Sequence, residues 1–144
     1  MKPRILPMLL VFAFVLGTAF RPAHAQDEPD EWYIEADSVS WFKKDHRTRG
    51  GAYNPATGNV LVATRTGGAR IIVVDGATGD SLATLDMTGV TEGSYGYTLN
   101  EMATTSDGQI FAANLRIGTT APLKIYHWAD ESAAPTVIYN GGPD

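Results

Sequence analysis

The sequence predicts an all-β fold that is β-propeller-like, with about two four-stranded blades. Turn clusters followed by short apolar runs recur about every 50 residues, as at Gly58 and Gly108, and each unit offers four such runs. No apolar pattern of helical period is sustained for two turns beyond residue 25, and the 15 glycines disfavour helices. An antiparallel sandwich or meander of seven or eight strands is the competing interpretation.

The first blade is predicted over about residues 50–97. Its strands are expected at 51–53, 60–63, 71–74 and 81–85. The turn at 75–80 has the sequence DGATGD, in which Asp caps its own backbone and Gly takes a positive φ. Because this turn lacks the alternating oxygen ligands and the distal Glu of a calcium loop, we favour a hairpin over a calcium site.

The second blade is predicted over about residues 98–144. Its strands are expected at 99–104, 110–113, 123–126 and 136–139. The two units keep one register, since Gly108 matches Gly58 and Gln109 matches Asn59. The repeat therefore predicts two copies of one supersecondary unit.

Residues 1–25 have the pattern of a secretory signal peptide. Lys2 and Arg4 precede an apolar run at 9–16, and the small residues Ala23 and Ala25 form a cleavage site before Gln26. The apolar run is short for a membrane span. We therefore expect an exported protein without stable membrane insertion, in the periplasm, at the cell surface or outside the cell. An uncleaved membrane anchor is the alternative.

Residues 26–49 are predicted to form a leader, acidic at first and basic at its end. Its aromatic residues are expected to cover apolar core rather than to stack on a ligand; they are Trp32, Tyr33, Trp41 and Phe42. The basic run consists of Lys43, Lys44, His46, Arg47 and Arg49. We expect this run to pair loosely with acidic residues or to be solvated, with binding of an anionic glycan or phosphate as the alternative.

Composition excludes some classes of partner. Lys and Arg number 11 against 16 Asp and Glu, for a formal net charge of -5, and removing the predicted signal peptide makes the chain more acidic still. Bulk electrostatics therefore disfavour nucleic acid as a partner. The chain has no cysteine, so an exported domain of this size must be held by its core, a metal or further chain.

Residues with catalytic or metal-binding chemistry are few. Ser38, Ser40, Asp45 and His46 are close in sequence, but no Gly-x-Ser-x-Gly motif accompanies them, so an ordinary polar loop is expected. Beyond residue 25 the histidines are His46 and His127, far apart and without metal-ligand spacing. We predict no catalytic residue, no metal and no cofactor, and His127 is expected to be a half-exposed strand residue.

In a propeller, the first strand of each blade lines the central channel, where ligands bind. This placement predicts Arg49 and Tyr53 in the first blade, and Asn100 and Glu101 in the second, as channel-facing binding candidates. The alternative is that these four residues only form hydrogen bonds to neighbouring blades.

Four segments resemble the opening blades of secreted bacterial β-propeller proteins assigned to a domain of unknown function. They are residues 53–62, 71–85, 105–115 and 124–128, and the resemblance covers roughly 50–140. Members of that kind have several more blades and often end in a sorting or anchoring domain. The shared motifs are also typical of quinoprotein-like propellers, so they imply an architecture and little about activity.

Two blades cannot close a ring, since a propeller needs about four to eight. We therefore expect the chain to be a fragment of a larger propeller, with assembly of several copies as the alternative. The predicted function is an exported, non-enzymatic binding or scaffold module for an unknown ligand or protein, and the isolated chain is expected to be poorly stable or to self-associate through exposed strands. The alternative is the N-terminal part of a secreted hydrolase, lyase or quinone-dependent dehydrogenase, with its catalytic residues in further blades.

Overall fold

A computed structural model describes residues 32–91, 96–119 and 121–142. The described residues contain eight strands and no α-helix: β1 (Thr48–Asn54), β2 (Asn59–Thr64), β3 (Arg70–Asp75), β4 (Ser81–Thr84), β5 (Glu101–Thr104), β6 (Ile110–Ala113), β7 (Leu123–Trp128) and β8 (Thr136–Gly141). They form two antiparallel sheets, sheet 1 in the order β1-β2-β3-β4 and sheet 2 in the order β5-β6-β7-β8. The predicted all-β fold with two four-stranded units is confirmed.

All eight predicted strands are present, with small differences at their ends. β1 begins at Thr48, inside the segment predicted as leader, and β5 begins at Glu101, two residues later than expected. Within the described residues, the chain forms no helix with the length and apolarity needed to span a bilayer.

The hairpin turns follow the chemistry expected from the sequence. Gly58 and Gly108 occupy equivalent turns with φ of 77° and 92°, a conformation that strains residues with a Cβ. In the turn at 75–80, the Asp75 Oδ1 accepts hydrogen bonds from the backbone N–H groups of Ala77 and Thr78, and Gly79 has φ 79°. The prediction of a hairpin there is confirmed.

The main core lies between the two sheets. Sheet 1 contributes Leu61, Ala63, Ile71 and Val73, and sheet 2 contributes Ile110, Ala112, Tyr126 and Trp128. Leu85 and Leu99, from the connection between the sheets, complete the cluster. The polar ends of the two large aromatic residues are satisfied, because Trp128 Nε1 donates to the Asp86 carbonyl at 2.7 Å and Tyr126 Oη accepts from the Thr91 N–H at 3.2 Å. Burying this apolar area is the main force that holds the sheets together.

A carboxylate joins the two sheets at one end. Glu131, in the β7–β8 connection, accepts hydrogen bonds from Asn54 Nδ2 at 2.7 Å, Thr57 Oγ1 at 2.6 Å and Asn59 Nδ2 at 2.8 Å. All three donors belong to the β1–β2 hairpin of sheet 1. We call this set the Glu131 clamp; it adds directional contacts to a core whose packing alone is less specific.

The leader covers the opposite face of sheet 1. Trp41 is buried against Ile72 and Val74, and Trp32 and Phe42 pack around the same cluster. Trp32 Nε1 donates to the Gly76 carbonyl and Trp41 Nε1 to Ser81 Oγ, each at 2.9 Å. The prediction that the leader aromatics cover apolar core is confirmed for these three and wrong for Tyr33, whose side chain is 79% exposed.

The corresponding face of sheet 2 has no such cover among the described residues. Ala103, Phe111, Ala113, Ile125 and His127 lie on it, and we call them the open face. The Phe111 and His127 rings lie 4.9 Å apart between centroids, and His127 Nε2 is 2.8 Å from Gln109 Oε1. His127 is a half-buried strand residue, as predicted.

The strand registers show how the two sheets are related. Leu61 lies opposite Val73 in sheet 1, and Phe111 lies opposite His127 in sheet 2, so Leu61 and Phe111 are repeat-equivalent. The face of sheet 1 that contacts sheet 2 is thus equivalent to the open face. The face of sheet 1 under the leader is equivalent to the face of sheet 2 in the main core. The sheets are therefore stacked head to tail, by which we mean that non-equivalent faces meet.

Candidate functional site

A cleft of about 490 Å³ opens where the segment before β1, the β2–β3 hairpin and the segment before β5 meet. Three arginines line it, Arg47, Arg49 and Arg65, together with Asp45 and Tyr97. We call it the arginine cleft. Three guanidinium groups against one carboxylate make the cleft positive in a protein whose formal net charge is -5. Its volume falls in the range of about 300–1,000 Å³ that is common for small-molecule sites.

A β-bulge places Arg49 in the lining. Thr48 pairs with Thr64 and Gly50 pairs with Ala63, so Arg49 is the extra residue in β1. Bulges of this kind redirect a side chain and are frequent beside functional sites. The neighbouring Gly50 is tightly enclosed, because a Cβ there would lie 3.0 Å from the Asn100 carbonyl oxygen. Its small size lets β1 pass close to the start of β5, which brings two walls of the cleft together.

Arg65 is the most constrained of the three arginines. Its backbone N–H donates to the Arg47 carbonyl at 3.0 Å, and its guanidinium lies 4.7 Å from the centroid of the Tyr97 ring. Nη2 reaches Asn100 Oδ1 at 3.5 Å, whereas the buried Nε has no hydrogen-bond partner among the described residues. Burial, followed by the positive charge of Arg49, lowers the pKa of Arg65, and Tyr97 acts in the opposite direction.

The loop before β1 is shaped by Asp45. Its Oδ1 accepts from the Arg47 backbone N–H at 3.1 Å, its Oδ2 lies 3.6 Å from Arg47 Nε, and the Thr66 hydroxyl is 3.2 Å from the same carboxylate oxygen. Between Asp45 and Arg47, His46 adopts φ 57°, a left-handed conformation uncommon outside glycine. The loop thereby holds His46 and Arg47 at the cleft.

No hydrogen bond joins Ser38 or Ser40 to His46 in the part of the chain that the structure describes. Asp45 is engaged by Arg47 and Thr66, and the Ser38 hydroxyl donates to the Glu35 carbonyl at 2.6 Å. Within the described ranges, no group of three or more His, Cys, Asp or Glu side chains is arranged to hold a metal ion.

The first part of the basic run pairs as the sequence predicted. Lys43 and Lys44 both lie 4.0 Å from Asp37 carboxylate oxygens, with exposed side chains. Such exposed pairs contribute little to stability. Arg47 and Arg49, in contrast, turn toward the cleft.

The four predicted binding residues are not brought into one site. Arg49 lines the arginine cleft, and Asn100 touches it through Arg65. Glu101 accepts from Asn100 Nδ2 at 3.0 Å but borders a second, shallow depression of about 140 Å³ that also includes Phe111. Tyr53 lies at the far end of β1, where its side chain is 59% exposed and its carbonyl accepts a hydrogen bond from the Thr104 hydroxyl.

Sequence reasoning missed Arg65 and Tyr97. Arg65 directly follows β2, at the position where the second repeat has Leu115. A charged residue at a place where the sister repeat has an aliphatic one is a detectable departure from the repeat. Tyr97 had no comparable indication, because it lies in the irregular segment before β5.

Fold and site together define an all-β protein of stacked four-stranded sheets with a basic cleft beside its first strands. The chain belongs to the family described as "Domain of unknown function (DUF4623)", which matches residues 39–142. The chain is also similar to the crystal structure of a DUF4623 family protein from Bacteroides eggerthii DSM 20697. The identity is 28% and the TM-score 0.53, and the match covers 65% of this chain and 22% of that one. The chain thus corresponds to less than a quarter of that structure. No curated protein matches the chain.

Proposed function

We propose that the protein is an exported, non-enzymatic binding or scaffold module of β-propeller-like build. The observation that supports this most is the head-to-tail stacking of the sheets. In a propeller, successive four-stranded blades surround a central channel and each meets its two neighbours through different faces. Sheet 2 contacts sheet 1 through one of its faces. The equivalent face of sheet 1 does not contact sheet 2 but is covered by the leader.

The position of the first strands supports a role in binding. β1 and β5 run close together, as shown by the tight approach of Gly50 to the Asn100 carbonyl and by the hydrogen bond from the Thr104 hydroxyl to the Tyr53 carbonyl. These are the strands that line the channel in a propeller. The arginine cleft lies beside them, so a ligand bound there would occupy the place where propellers bind theirs.

The open face supports a role as a scaffold. Its residues are equivalent to the surface of sheet 1 that sheet 2 covers, so we propose a further four-stranded sheet unit of the same kind as its occupant. The outer strand β8 adds exposed apolar side chains, with Val137 at 49%, Ile138 at 53% and Tyr139 at 41% exposure. Alone, such a surface and strand edge favour self-association.

Sedimentation velocity at several protein concentrations tests this proposal. We expect the purified protein to associate with increasing concentration, and the double variant Phe111→Ser/Ile125→Ser to raise the dissociation constant about tenfold or more, or about 1.4 kcal/mol. Leu82→Ser is the matched control, because Leu82 is 54% exposed on the outer strand of sheet 1. Circular dichroism establishes that each variant is folded.

Two results would contradict the scaffold role. One is a protein that stays monomeric at every concentration and melts sharply and reversibly. The other is a Leu82→Ser variant that weakens association as much as the double variant does. The export step has its own test: mass spectrometry of the protein recovered outside the cytoplasm should find Gln26 as its first residue, and a retained segment 1–25 would refute cleavage there.

A further inference from the structure

We propose that the arginine cleft binds a small polar organic molecule that carries an oxyanion group, such as a carboxylate or a phosphate. This inference rests on the proposed binding role and names the ligand chemistry for it. Three features of the cleft support it: its local charge, the placement of an arginine that has no carboxylate partner among the described residues, and the size of the cavity.

The charge of the cleft opposes that of the protein around it. Arg47, Arg49 and Arg65 line one cavity, and Asp45 is the carboxylate that faces them. Asp45 is already engaged with Arg47, which leaves the positive charges of Arg49 and Arg65 without a carboxylate partner among the described residues. An anion in the cleft would reduce the repulsion between these two groups. The negative net charge of the whole protein makes a long polyanion a poor ligand and favours a small one.

The orientation of Arg65 suits an oxyanion. Its guanidinium carbon lies over the face of Tyr97, 4.7 Å from the ring centroid, and this contact helps to hold the charged group at the cleft. Its Nη2 makes only a long contact with Asn100 Oδ1 at 3.5 Å, and its solvent-shielded Nε has no hydrogen-bond partner among the described residues. A guanidinium presents pairs of N–H groups that match the two oxygens of a carboxylate or phosphate.

The cavity is larger than one anionic group requires. At about 490 Å³ it has room for an organic body attached to the oxyanion. The rest of the lining includes Asp45, His46 and Thr98, which can exchange hydrogen bonds with hydroxyl groups. The ligand that fits is therefore a polar, hydroxylated acid or phosphate ester rather than an apolar acid.

The test is a titration of the purified ¹⁵N-labelled protein followed by NMR, with sodium glucuronate and inorganic phosphate as separate probes and sodium chloride at matched ionic strength as the blank. We expect one or both probes to shift the Arg65 Nε–H resonance saturably, while chloride does not. Saturation by glucuronate alone assigns a carboxylate ligand, and saturation by phosphate alone assigns a phosphoryl ligand.

Variants separate a defined site from diffuse charge. Arg49→Gln should weaken binding of the saturating probe about tenfold. Arg49→Lys keeps the positive charge but loses the paired N–H groups of the guanidinium, so its affinity should lie between those of Arg49→Gln and the natural protein. Lys44→Gln is the matched control, since it removes one exposed positive charge of the same basic run outside the cleft. Its affinity should stay within about twofold of the natural protein.

Three outcomes would overturn the proposal. They are the absence of a saturable shift with both probes, an equal loss of affinity in Lys44→Gln and Arg49→Gln, and unchanged affinity in a folded Arg49→Gln variant. The proposed scaffold role does not depend on these results, because the open face lies on sheet 2 and is tested by association.

Discussion

Gly108 marks the place where the hairpin turns of the two sheets touch. A Cβ on Gly108 would lie 2.9 Å from the Ala56 Cβ, whereas one on the equivalent Gly58 would meet nothing within 4 Å. Both have positive φ, so Gly58→Ala should cost about 1 kcal/mol of unfolding free energy from backbone strain alone. Gly108→Ala should cost at least about 1 kcal/mol more, because the turns must also move apart.

Urea denaturation of the two alanine variants measures this difference. Since both substitutions are the same and both turns are equivalent, backbone strain cancels in the comparison. Equal losses of stability would show that the turns do not pack against each other as described.

The pKa of Asp130 leads to a prediction of how the stability of the fold depends on pH. The Ser132 hydroxyl and the Ser132 backbone N–H donate to its carboxylate, which lowers the pKa of Asp130 below its ordinary value of 3.8. Because the folded pKa lies below the unfolded one, this contribution is present above pH 3.8 and is lost as the pH falls through the folded pKa. Hydrogen bonds from Thr88 and Thr105 lower the pKa of Asp86 and Asp107 in the same way.

An NMR titration of the aspartate carboxyl groups checks this prediction. The pKa of Asp130 should lie below its ordinary value, and Ser132→Ala should raise it while leaving the pKa of Asp86 in place. An Asp130 pKa that Ser132→Ala does not change would refute the assigned cause.

The residues of the arginine cleft differ in how well the sequence alone predicts that they lie together. In the sequence, Arg49 is recognisable as part of a basic run in an acidic chain, and in the structure it lines the cleft. Its orientation depends on a bulge, which arises from pairing with β2 and has no local sequence pattern. Arg65 and Tyr97 meet only after folding, because Arg65 lies in the β2–β3 hairpin and Tyr97 lies in the connection between the sheets.

Trp41 tests the role of the leader as a cover for sheet 1. Its ring is 7% exposed, packs on Ile72 and Val74, and donates a hydrogen bond to Ser81. Trp41→Ala should therefore lower the free energy of unfolding by about 3–5 kcal/mol. Tyr33→Ala is the control from the same segment, and its effect should stay within about 0.5 kcal/mol because Tyr33 is 79% exposed.

Chemical denaturation followed by tryptophan fluorescence and circular dichroism measures both losses. Similar losses for the two variants would mean that the leader does not cover sheet 1 through Trp41.

The strands themselves were predictable because each is a short apolar run between turns with Gly, Asn or Asp. β3 has four consecutive buried residues, as expected for a strand covered on both faces, here by sheet 2 and by the leader. β7 alternates instead, with Tyr126 and Trp128 in the core and Ile125 and His127 on the open face. The sequence pattern therefore distinguishes a strand that is buried on both faces from a strand that is buried on one face. It does not show which other segment of the chain packs on each face.

The placement of one sheet on the other depends on contacts between distant parts of the chain. The Glu131 clamp joins residues 72 to 77 positions apart, and Trp128 bonds to Asp86 across 42 positions. No local pattern encodes such pairings. The repeat predicted two equivalent units, and the clamp together with the shared core determines that they stack head to tail.

Hydroxyl-radical footprinting of the protein at low concentration, with the unfolded chain as the reference for intrinsic reactivity, measures this stacking directly. Head-to-tail stacking predicts that Phe111 and Ile125 are oxidised much more readily than their repeat-equivalents Leu61 and Ile71, and that Trp128, which is 0% exposed, is protected. A protein in which Phe111 is protected and Trp128 is oxidised would have equivalent faces packed together, and that result would contradict head-to-tail stacking.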